Sequence, residues 1–325
     1  MSTASTKTAT TVEQQIALLR SRQVIVSDEK KAKEYLLDIG YYRLGFYLFP
    51  FEQTYPELLS RRRHDAWAGT RIEDAVALYY FDFDLRNILN RYLSRIEVAI
   101  RTTIIYYLSN KYKSNPTWFV DSSVVNNGFI SSFNREVYLR IRAKSVIKRH
   151  HQRYPDDVYA PAWKTMEFMT MGNLNSLYSN LLCLDDRLLI CRHFGVRNPN
   201  VFFDYLEAIR LVRNAVAHGN VVYDLNLYTP VSNGPAGRFT GPDRHNLSTA
   251  LQVVRYLLGI VSVNRVNDMD EEMQKAARRL FNKCPALEPM IIQKTGIDAT
   301  VLPEKYGCFR SFFTIICQML TKSAK

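Results

Sequence analysis

The sequence predicts an all-α fold, a helical bundle with additional helices at its N-terminal and C-terminal ends. Apolar residues recur at helical spacing over long stretches, most clearly at residues 72–112, where no proline interrupts the pattern. Residues that typically begin or end helices bound the other periodic stretches, and credible strands are few. Many helices with few strands indicate a packed helical bundle.

Composition limits the classes of function. The chain has 325 residues, 47% of them hydrophobic, so it can bury a substantial core. Its formal net charge of +12 favours a polyanionic partner, most commonly nucleic acid. Five cysteines without a C-x-x-C pair indicate neither a disulfide framework nor a zinc site and fit a reducing cytoplasm. The chain has neither an apolar signal core at its start nor an apolar run of about 18 residues, so we expect a soluble, cytoplasmic protein without a membrane partner.

The N-terminal region begins with a predicted flexible leader at residues 1–11. A first helix is expected from Val12, and Asp28 can cap a second helix that Gly40 ends. The next segment, GYYRLGFYLFPFE, is unusually aromatic. Its aromatic residues either anchor the core, the interpretation that we favour, or stack bases beside arginine. They are Tyr41, Tyr42, Phe46, Tyr47, Phe49 and Phe51.

The long periodic stretch at residues 72–112 contains an ion pair at helical spacing. Glu97 and Arg101 are four positions apart and therefore lie on one helix face. They form either an ordinary surface pair, which contributes little to stability, or part of the support of a site.

Two basic segments are candidate RNA-binding surfaces. A cluster of arginines precedes the long helix, and a helical, strongly basic segment is predicted at residues 134–154, after a polar break at residues 114–135 that we expect to be a surface loop. Each contacts RNA phosphates or is simply a solvated face. The candidate residues are Arg61, Arg62, Arg63, Arg140, Lys144, Lys148 and Arg149. His150 and His151 are adjacent and point apart, so they do not indicate a metal site.

The rest of the chain contains further predicted helices. Pro161 opens one helical unit, and Asn198 begins another that Gly219 ends. Residues 226–246 form a predicted irregular loop rich in glycine and proline. Residues 247–325 are expected to form a helical extension that packs on the main domain. Its helices are predicted near residues 247–264, 269–283 and 308–322.

The stretch RLVRNAVAHG combines an apolar helix face with chemically active groups. Asn214 and His218 are one turn apart on the same face, and Arg213 is long enough to reach the same place. Histidine can act as an acid or a base near neutral pH. The alternative is a helix end with a capping histidine and an exposed arginine. Two other Arg-to-His pairs of similar spacing, which we treat as coincidence, are Arg187 with His193 and Arg238 with His245.

This stretch also carries a family resemblance. Arg213-Asn214-x-x-x-His218 resembles the R-N-x-x-x-H form of the R-x(4–6)-H motif of the HEPN superfamily. Further segments occur in the order typical of the Abi-like (AbiD/AbiF type) family of phage abortive-infection proteins, over roughly residues 12–225. These segments are GYYRLGFYLFPF, YYFDFDLR, RIEVAIRTTI, PAW…MGNLNSLY and IRLVRNAVAH.

The resemblance implies a fold, an activity and a site. It implies a HEPN-like helical bundle over residues 12–225 and an antiphage endoribonuclease that needs neither a metal nor a cofactor. The catalytic residues would be Arg213, Asn214 and His218, with two copies meeting in a homodimer. Glu97, Arg101 and Arg210 are candidate supporting residues. A 2′-OH attack would give a 2′,3′-cyclic phosphate and would exclude DNA as a substrate.

Two further expectations concern partners. A small non-coding RNA would restrain the nuclease as the antitoxin of a toxin–antitoxin pair. Alternatively, the protein is a non-catalytic RNA-binding protein that holds a small structured RNA on its basic surface. A nucleotidyltransferase or phosphotransferase has no support, because no glycine-rich phosphate loop and no paired acidic metal site occur at suitable spacing.

Overall fold

A computed structural model describes residues 8–299 of the chain. These residues form α-helices joined by turns and short 3-10 segments, and only isolated β-bridges, without a strand, occur among them. The predicted all-α fold is therefore confirmed. The helix predicted near residues 308–322 and most of the predicted leader lie outside the described residues.

The α-helices are numbered in chain order. They are α1 (Val12–Ser21), α2 (Glu29–Asp38), α3 (Tyr41–Leu48), α4 (Ile72–Lys111), α5 (Asn127–Ser132), α6 (Leu139–Arg142), α7 (Ser145–Arg153), α8 (Ala162–Thr165), α9 (Met171–Ser179), α10 (Leu184–His193), α11 (Pro199–Ala217), α12 (Leu247–Val261), α13 (Val263–Lys283) and α14 (Glu288–Thr295). No helix among the described residues is long and apolar enough to cross a bilayer.

The described residues divide into two compact units. The first contains residues 8–85 and 274–290, and the second contains residues 86–273 and 291–299. The predicted boundary near residue 225 follows the family resemblance, and the one near residue 246 follows the end of the glycine- and proline-rich stretch. Both stay predictions.

The first unit confirms the predicted N-terminal helices. Asp28 caps α2 by accepting a hydrogen bond from the Lys31 amide at 2.9 Å, and Gly40 follows this helix with a φ of +87°. Core packing is confirmed for Tyr47, which is fully buried. The prediction of core packing is wrong for Tyr42, whose exposed fraction is 82%. The aromatic side chains of this segment cannot all face inward, because they point in different directions around α3, which has only one buried face.

The long helix predicted at residues 72–112 is confirmed as α4. Its part in the second unit buries a continuous apolar stripe at spacings of three and four residues. The stripe contains Ile88, Leu89, Tyr92, Leu93, Ile96, Ile100, Ile104 and Leu108. This stripe fixes which face of α4 carries Glu97 and Arg101.

The prediction of a surface loop at residues 114–135 is wrong. Trp118, Phe119 and Val125 are fully buried, and the Trp118 indole donates a hydrogen bond to Ser109 Oγ at 3.1 Å. A 3-10 turn at Trp118–Val120 and the six-residue helix α5 supply this packing. Neither element has enough turns to produce a recognisable apolar period.

The basic helix predicted at residues 134–154 is helical but broken. A π-helical turn at Phe133–Tyr138 runs into α6, and Lys144 is extended, with a φ of −70° and a ψ of 140°, before α7 begins. α7 buries Ile147 and His150 and exposes its cations.

The core of the second unit surrounds α11, which packs against α9, α10 and α12. The region predicted to be irregular at residues 226–246 contains only isolated bridges and a 3-10 turn at Gly241–His245. α12 and α13 confirm the helices predicted near residues 247–264 and 269–283. The centre of this unit is therefore the helix that carries Arg213, Asn214 and His218.

Candidate active site

The two ends of α11 are fixed by local interactions. Asn198 caps its start by accepting a hydrogen bond from the Asn200 amide at 2.9 Å, and Pro199 occupies the first turn. At its other end Gly219 has a φ of +67°, and its amide donates to Val216 O at 3.2 Å. This Schellman-type ending leaves His218 as the C-cap residue.

The motif residues lie at an accessible end of α11. The side chain of Arg213 is 35% exposed, Asn214 is half-buried, and His218 is exposed. The His218 amide donates to Asn214 O at 3.0 Å, and its imidazole has no hydrogen-bond partner within residues 8–299. Arg213 Nη1 lies 3.5 Å from Asn214 Oδ1. The three side chains are therefore accessible from the surface rather than locked inside the core.

A carboxylate on α4 joins two arginines. Glu97 Oε1 accepts a hydrogen bond from Arg101 Nη2 at 2.8 Å, and Glu97 Oε2 lies 3.5 Å from Arg213 Nε. Arg101 Nη2 also donates to the carbonyl oxygen of Met169 at 3.0 Å. The side chains of Glu97 and Arg101 are only 15% and 10% exposed, so the pair is not an ordinary surface pair. Glu97 therefore contacts the motif directly and Arg101 only through Glu97, and their supporting role stays a prediction.

Arg210 belongs to a second polar cluster, one turn before the motif on α11. Its Nη2 donates to Glu207 Oε2 and to the hydroxyl of Tyr228, both at 2.6 Å. The amide of Asn175 on α9, which is 2% exposed, donates to Glu207 Oε1 at 2.7 Å. The other three members of this cluster, Glu207, Tyr228 and Asn175, were not predicted from the sequence. Only Glu207 carried a local signal, its position three residues before Arg210.

The second cluster shifts the titration of both partners. Burial alone would raise the pKa of Glu207, but hydrogen bonds from Arg210 and Asn175 and the charge of Arg210 lower it below its ordinary value. The hydrogen bond to Glu207 raises the pKa of Arg210. The pair is therefore ionised at neutral pH and holds the Arg210 side chain in place.

Three separate stretches of sequence thus meet along α11, in two separate clusters. Glu97 and Arg101 come from RIEVAIRTTI, Asn175 comes from MGNLNSLY, and Arg213 comes from IRLVRNAVAH. The family resemblance rested on these three segments, among others. Within residues 8–299, no group of three or more His, Cys, Asp and Glu side chains could hold a metal ion.

The other two Arg-to-His pairs lie in different surroundings. The His193 ring lies 3.2 Å from the Tyr107 hydroxyl, and burial lowers its pKa. His245 Nδ1 lies 2.7 Å from the carbonyl oxygen of Leu227. Both imidazoles contact a polar atom of the fold, whereas the His218 imidazole contacts none within residues 8–299.

The predicted RNA-binding arginines of the first unit differ from one another. Arg62 is held by Glu52, with Nε and Nη2 each 2.7 Å from a carboxylate oxygen, and its guanidinium lies over the Phe49 ring. Arg61 and Arg63 are exposed. Arg62 therefore has a structural role, while RNA binding by Arg61 and Arg63 stays a prediction.

The predicted RNA-binding residues of the second unit are all exposed. They are Arg140, Lys144, Lys148 and Arg149. Other exposed cations of the same segment are Arg135, Arg142 and Arg153. Arg135 pairs with Glu136 at 2.7 Å, and no other salt bridge involves a Lys or Arg within residues 134–153. The segment is therefore a concentrated positive surface.

Residues 34–224 match the family model described as Abi-like protein. The matched range contains the motif, the Glu97–Arg101 pair and the Arg210 cluster except for Tyr228. No curated protein and no solved structure matches the chain.

Proposed function

Because the chain belongs to the Abi-like protein family, we propose that it is an abortive-infection protein that acts against phage as a metal-independent endoribonuclease of the HEPN type. The observation that carries this proposal is the grouping of Arg213, Asn214 and His218 at an accessible helix end, with Glu97 against Arg213. The proposed place of action is the bacterial cytoplasm.

The proposed reaction begins at a ribose 2′-OH. A neutral His218 takes the hydroxyl proton, and the oxygen attacks the neighbouring phosphorus. The bond from phosphorus to the 5′ oxygen breaks, and a protonated His218 of a second copy gives that oxygen its proton. The products are a 2′,3′-cyclic phosphate and a free 5′-OH. DNA has no 2′-OH and is not a substrate.

Arg213 and Asn214 stabilise the charge that develops on the phosphate. A guanidinium offers paired donors that match phosphate oxygens. Glu97 faces Nε of Arg213 and Asn214 Oδ1 lies 3.5 Å from Nη1, so Nη2 remains available to the phosphate. Asn214 orients either the phosphate or the imidazole. Glu97 is thus a positioning residue, and the proposed site is completed by a second copy of the chain in a homodimer.

Single substitutions test the proposal directly. Purified full-length protein is incubated with single-stranded RNA in the presence of EDTA, and the fragment ends are identified by mass spectrometry. We expect wild-type fragments with 2′,3′-cyclic phosphates and a loss of at least 100-fold in rate for His218→Ala and Arg213→Ala. Arg238→Ala is the matched control, because this exposed arginine belongs to one of the two coincidental pairs. Cleavage that requires a divalent metal, or that survives His218→Ala, contradicts the proposal.

The exposed cations of residues 134–153 favour one alternative, a non-catalytic protein that holds a structured RNA. The same incubations with RNA distinguish this alternative from the nuclease. This alternative predicts a salt-sensitive complex and intact RNA, and Arg213→Ala and His218→Ala would leave that RNA intact as before. A small RNA that restrains the nuclease would combine cleavage with such a complex.

A further inference from the structure

A pocket opens in the unit formed by residues 8–85 and 274–290. Its volume is about 180 Å³, and part of its lining comes from Leu19, Val24, Leu48 and Ala66. A dry cavity of about 150 Å³ can hold benzene, whereas sites for drug-sized ligands span roughly 300–1,000 Å³. The pocket therefore suits a single ring system.

Two exposed aromatic side chains line the pocket. Tyr42 and Phe46 lie one turn apart on α3 and are 82% and 45% exposed. Their rings meet edge to face, with centroids 5.2 Å apart. An exposed tyrosine face offers a stacking surface, and unpaired bases stack on aromatic rings with little dependence on sequence.

The polar lining of the pocket is positively charged. Glu52, whose side chain is 6% exposed, is held by Arg62, and the His64 ring also lies 3.1 Å from it. Arg22 uses Nη1 to donate to the Tyr41 hydroxyl at 2.9 Å and is half-buried. Its other N–H groups remain available, so Arg22 is suited to a phosphate.

The backbone beside Arg22 adopts a conformation that side chains disfavour. Gln23 has a φ of +65°, and the Val24 amide donates to Leu19 O at 3.0 Å as α1 ends. Glycine usually occupies such a position. Arg22 and Val24, the residues before and after Gln23, both line the pocket.

We propose that this pocket binds one unpaired nucleotide of a single-stranded RNA, with its base against Tyr42 and Phe46 and its phosphate at Arg22. The proposal rests on the proposed function in one respect, that RNA is the polymer which the protein engages. It assigns the exposed aromatic residues of α3 a role in binding rather than in the core.

Equilibrium binding of RNA tests the pocket. The probe is a short fluorescein-labelled single-stranded RNA, and the protein is the full chain carrying His218→Ala, so that cleavage does not interfere. Fluorescence anisotropy should show that a further Tyr42→Ala weakens binding about 5- to 150-fold, the range expected when one stacked base is lost. Tyr42→Phe keeps the ring and should bind as the parent does. Tyr106→Ala removes a tyrosine that is 60% exposed elsewhere on the chain and should also bind as the parent does.

A second measurement locates the RNA. Photocrosslinking with 4-thiouridine in the same RNA should label peptides that contain residues 41–48. The proposal is overturned if folded Tyr42→Ala binds RNA as tightly as its parent, or if Tyr42→Phe loses as much affinity as Tyr42→Ala. Binding is measured with His218→Ala and therefore does not depend on cleavage. A Tyr42-dependent complex, together with no cleavage by the wild-type protein, would contradict the proposed function but not the proposed role of the pocket.

Discussion

Glu97 is the residue that joins the predicted motif to its surroundings. It lies between a nearly buried arginine on its own helix and the more exposed Arg213. A carboxylate shared in this way neutralises Arg101 and limits the positions that the Arg213 guanidinium can take. The charge of Glu97 therefore affects both stability and the geometry of the motif.

We expect Glu97→Gln to lower the free energy of unfolding by about 2–3 kcal/mol, because the poorly solvated Arg101 loses its counterion. Urea denaturation measures the change. The matched control is Glu136→Gln, since Glu136 pairs with Arg135 at the surface with 61% of its side chain exposed. That substitution should change stability by less than about 0.5 kcal/mol. Equal effects of the two substitutions would show that the Glu97 pair contributes no more to stability than an exposed pair.

Glu207 provides a prediction about pH. Its native pKa is lower than the ordinary value of 4.5, because the hydrogen bonds from Arg210 and Asn175 outweigh its burial. The resulting stabilisation is fully present above the pKa of the unfolded chain and is lost as pH falls through the native pKa. The difference in unfolding free energy between wild type and Glu207→Gln should therefore be largest near neutral pH and shrink below pH 4.5. A difference that grows on acidification would contradict this assignment.

Residue-level prediction succeeded where partners are close in sequence. The spacing of four between Glu97 and Arg101 predicted their contact. The contact of Glu97 with Arg213, and that of Asn175 with Glu207, join different helices. No local pattern encodes them, because the packing of the helices decides which faces meet.

At the scale of helices, the end of α11 decides where the histidine of the motif stands. Gly219 adopts a left-handed conformation that closes the helix directly after His218. A side chain at this position would strain the turn. The position of the imidazole is therefore coupled to the presence of glycine.

We expect Gly219→Ala to destabilise the protein by about 1–2 kcal/mol and to slow RNA cleavage, because His218 shifts with the turn. Thermal unfolding and the cleavage assay measure the two effects. Gly259→Ala is the control within α12, where an added Cβ would make only an ordinary contact with Val266. It should stabilise the helix by about 0.5–1 kcal/mol. Destabilisation by Gly259→Ala but not by Gly219→Ala would refute this account of the turn.

Helix ends were predictable because single residues signal them. Asp28, Asn198 and Gly219 all act as the sequence indicated. The buried segment around Trp118 was not predictable, since its core residues follow neither a period of 3.6 nor a period of two. Tyr42 escaped prediction for a related reason, because composition alone does not tell which aromatic side chains face the solvent.

At the scale of the whole molecule, the fold class followed from periodicity, while the assembly stays a prediction. The proposed reaction needs two imidazoles, one to accept a proton and one to donate a proton, and the motif supplies one per chain. A homodimer would provide the second. The net charge of +12 suits a site that holds a polyanion.

Mixed dimers test this requirement. Wild type and His218→Ala chains with different affinity tags are coexpressed, and dimers that contain one of each are isolated by two purification steps. We expect these mixed dimers to cleave RNA at less than about a tenth of the wild-type rate, because one of the two proton transfers lacks its histidine. Half of the wild-type rate would instead indicate that each chain carries an independent site.

The most direct measurement uses an RNA with one 2′-deoxy nucleotide at the preferred cleavage site, compared with the all-ribose RNA. The wild-type protein should leave the modified position intact while it cleaves the all-ribose RNA there, and His218→Ala should cleave neither. Cleavage at the 2′-deoxy position would contradict the central claim, since no hydroxyl is present there for His218 to activate.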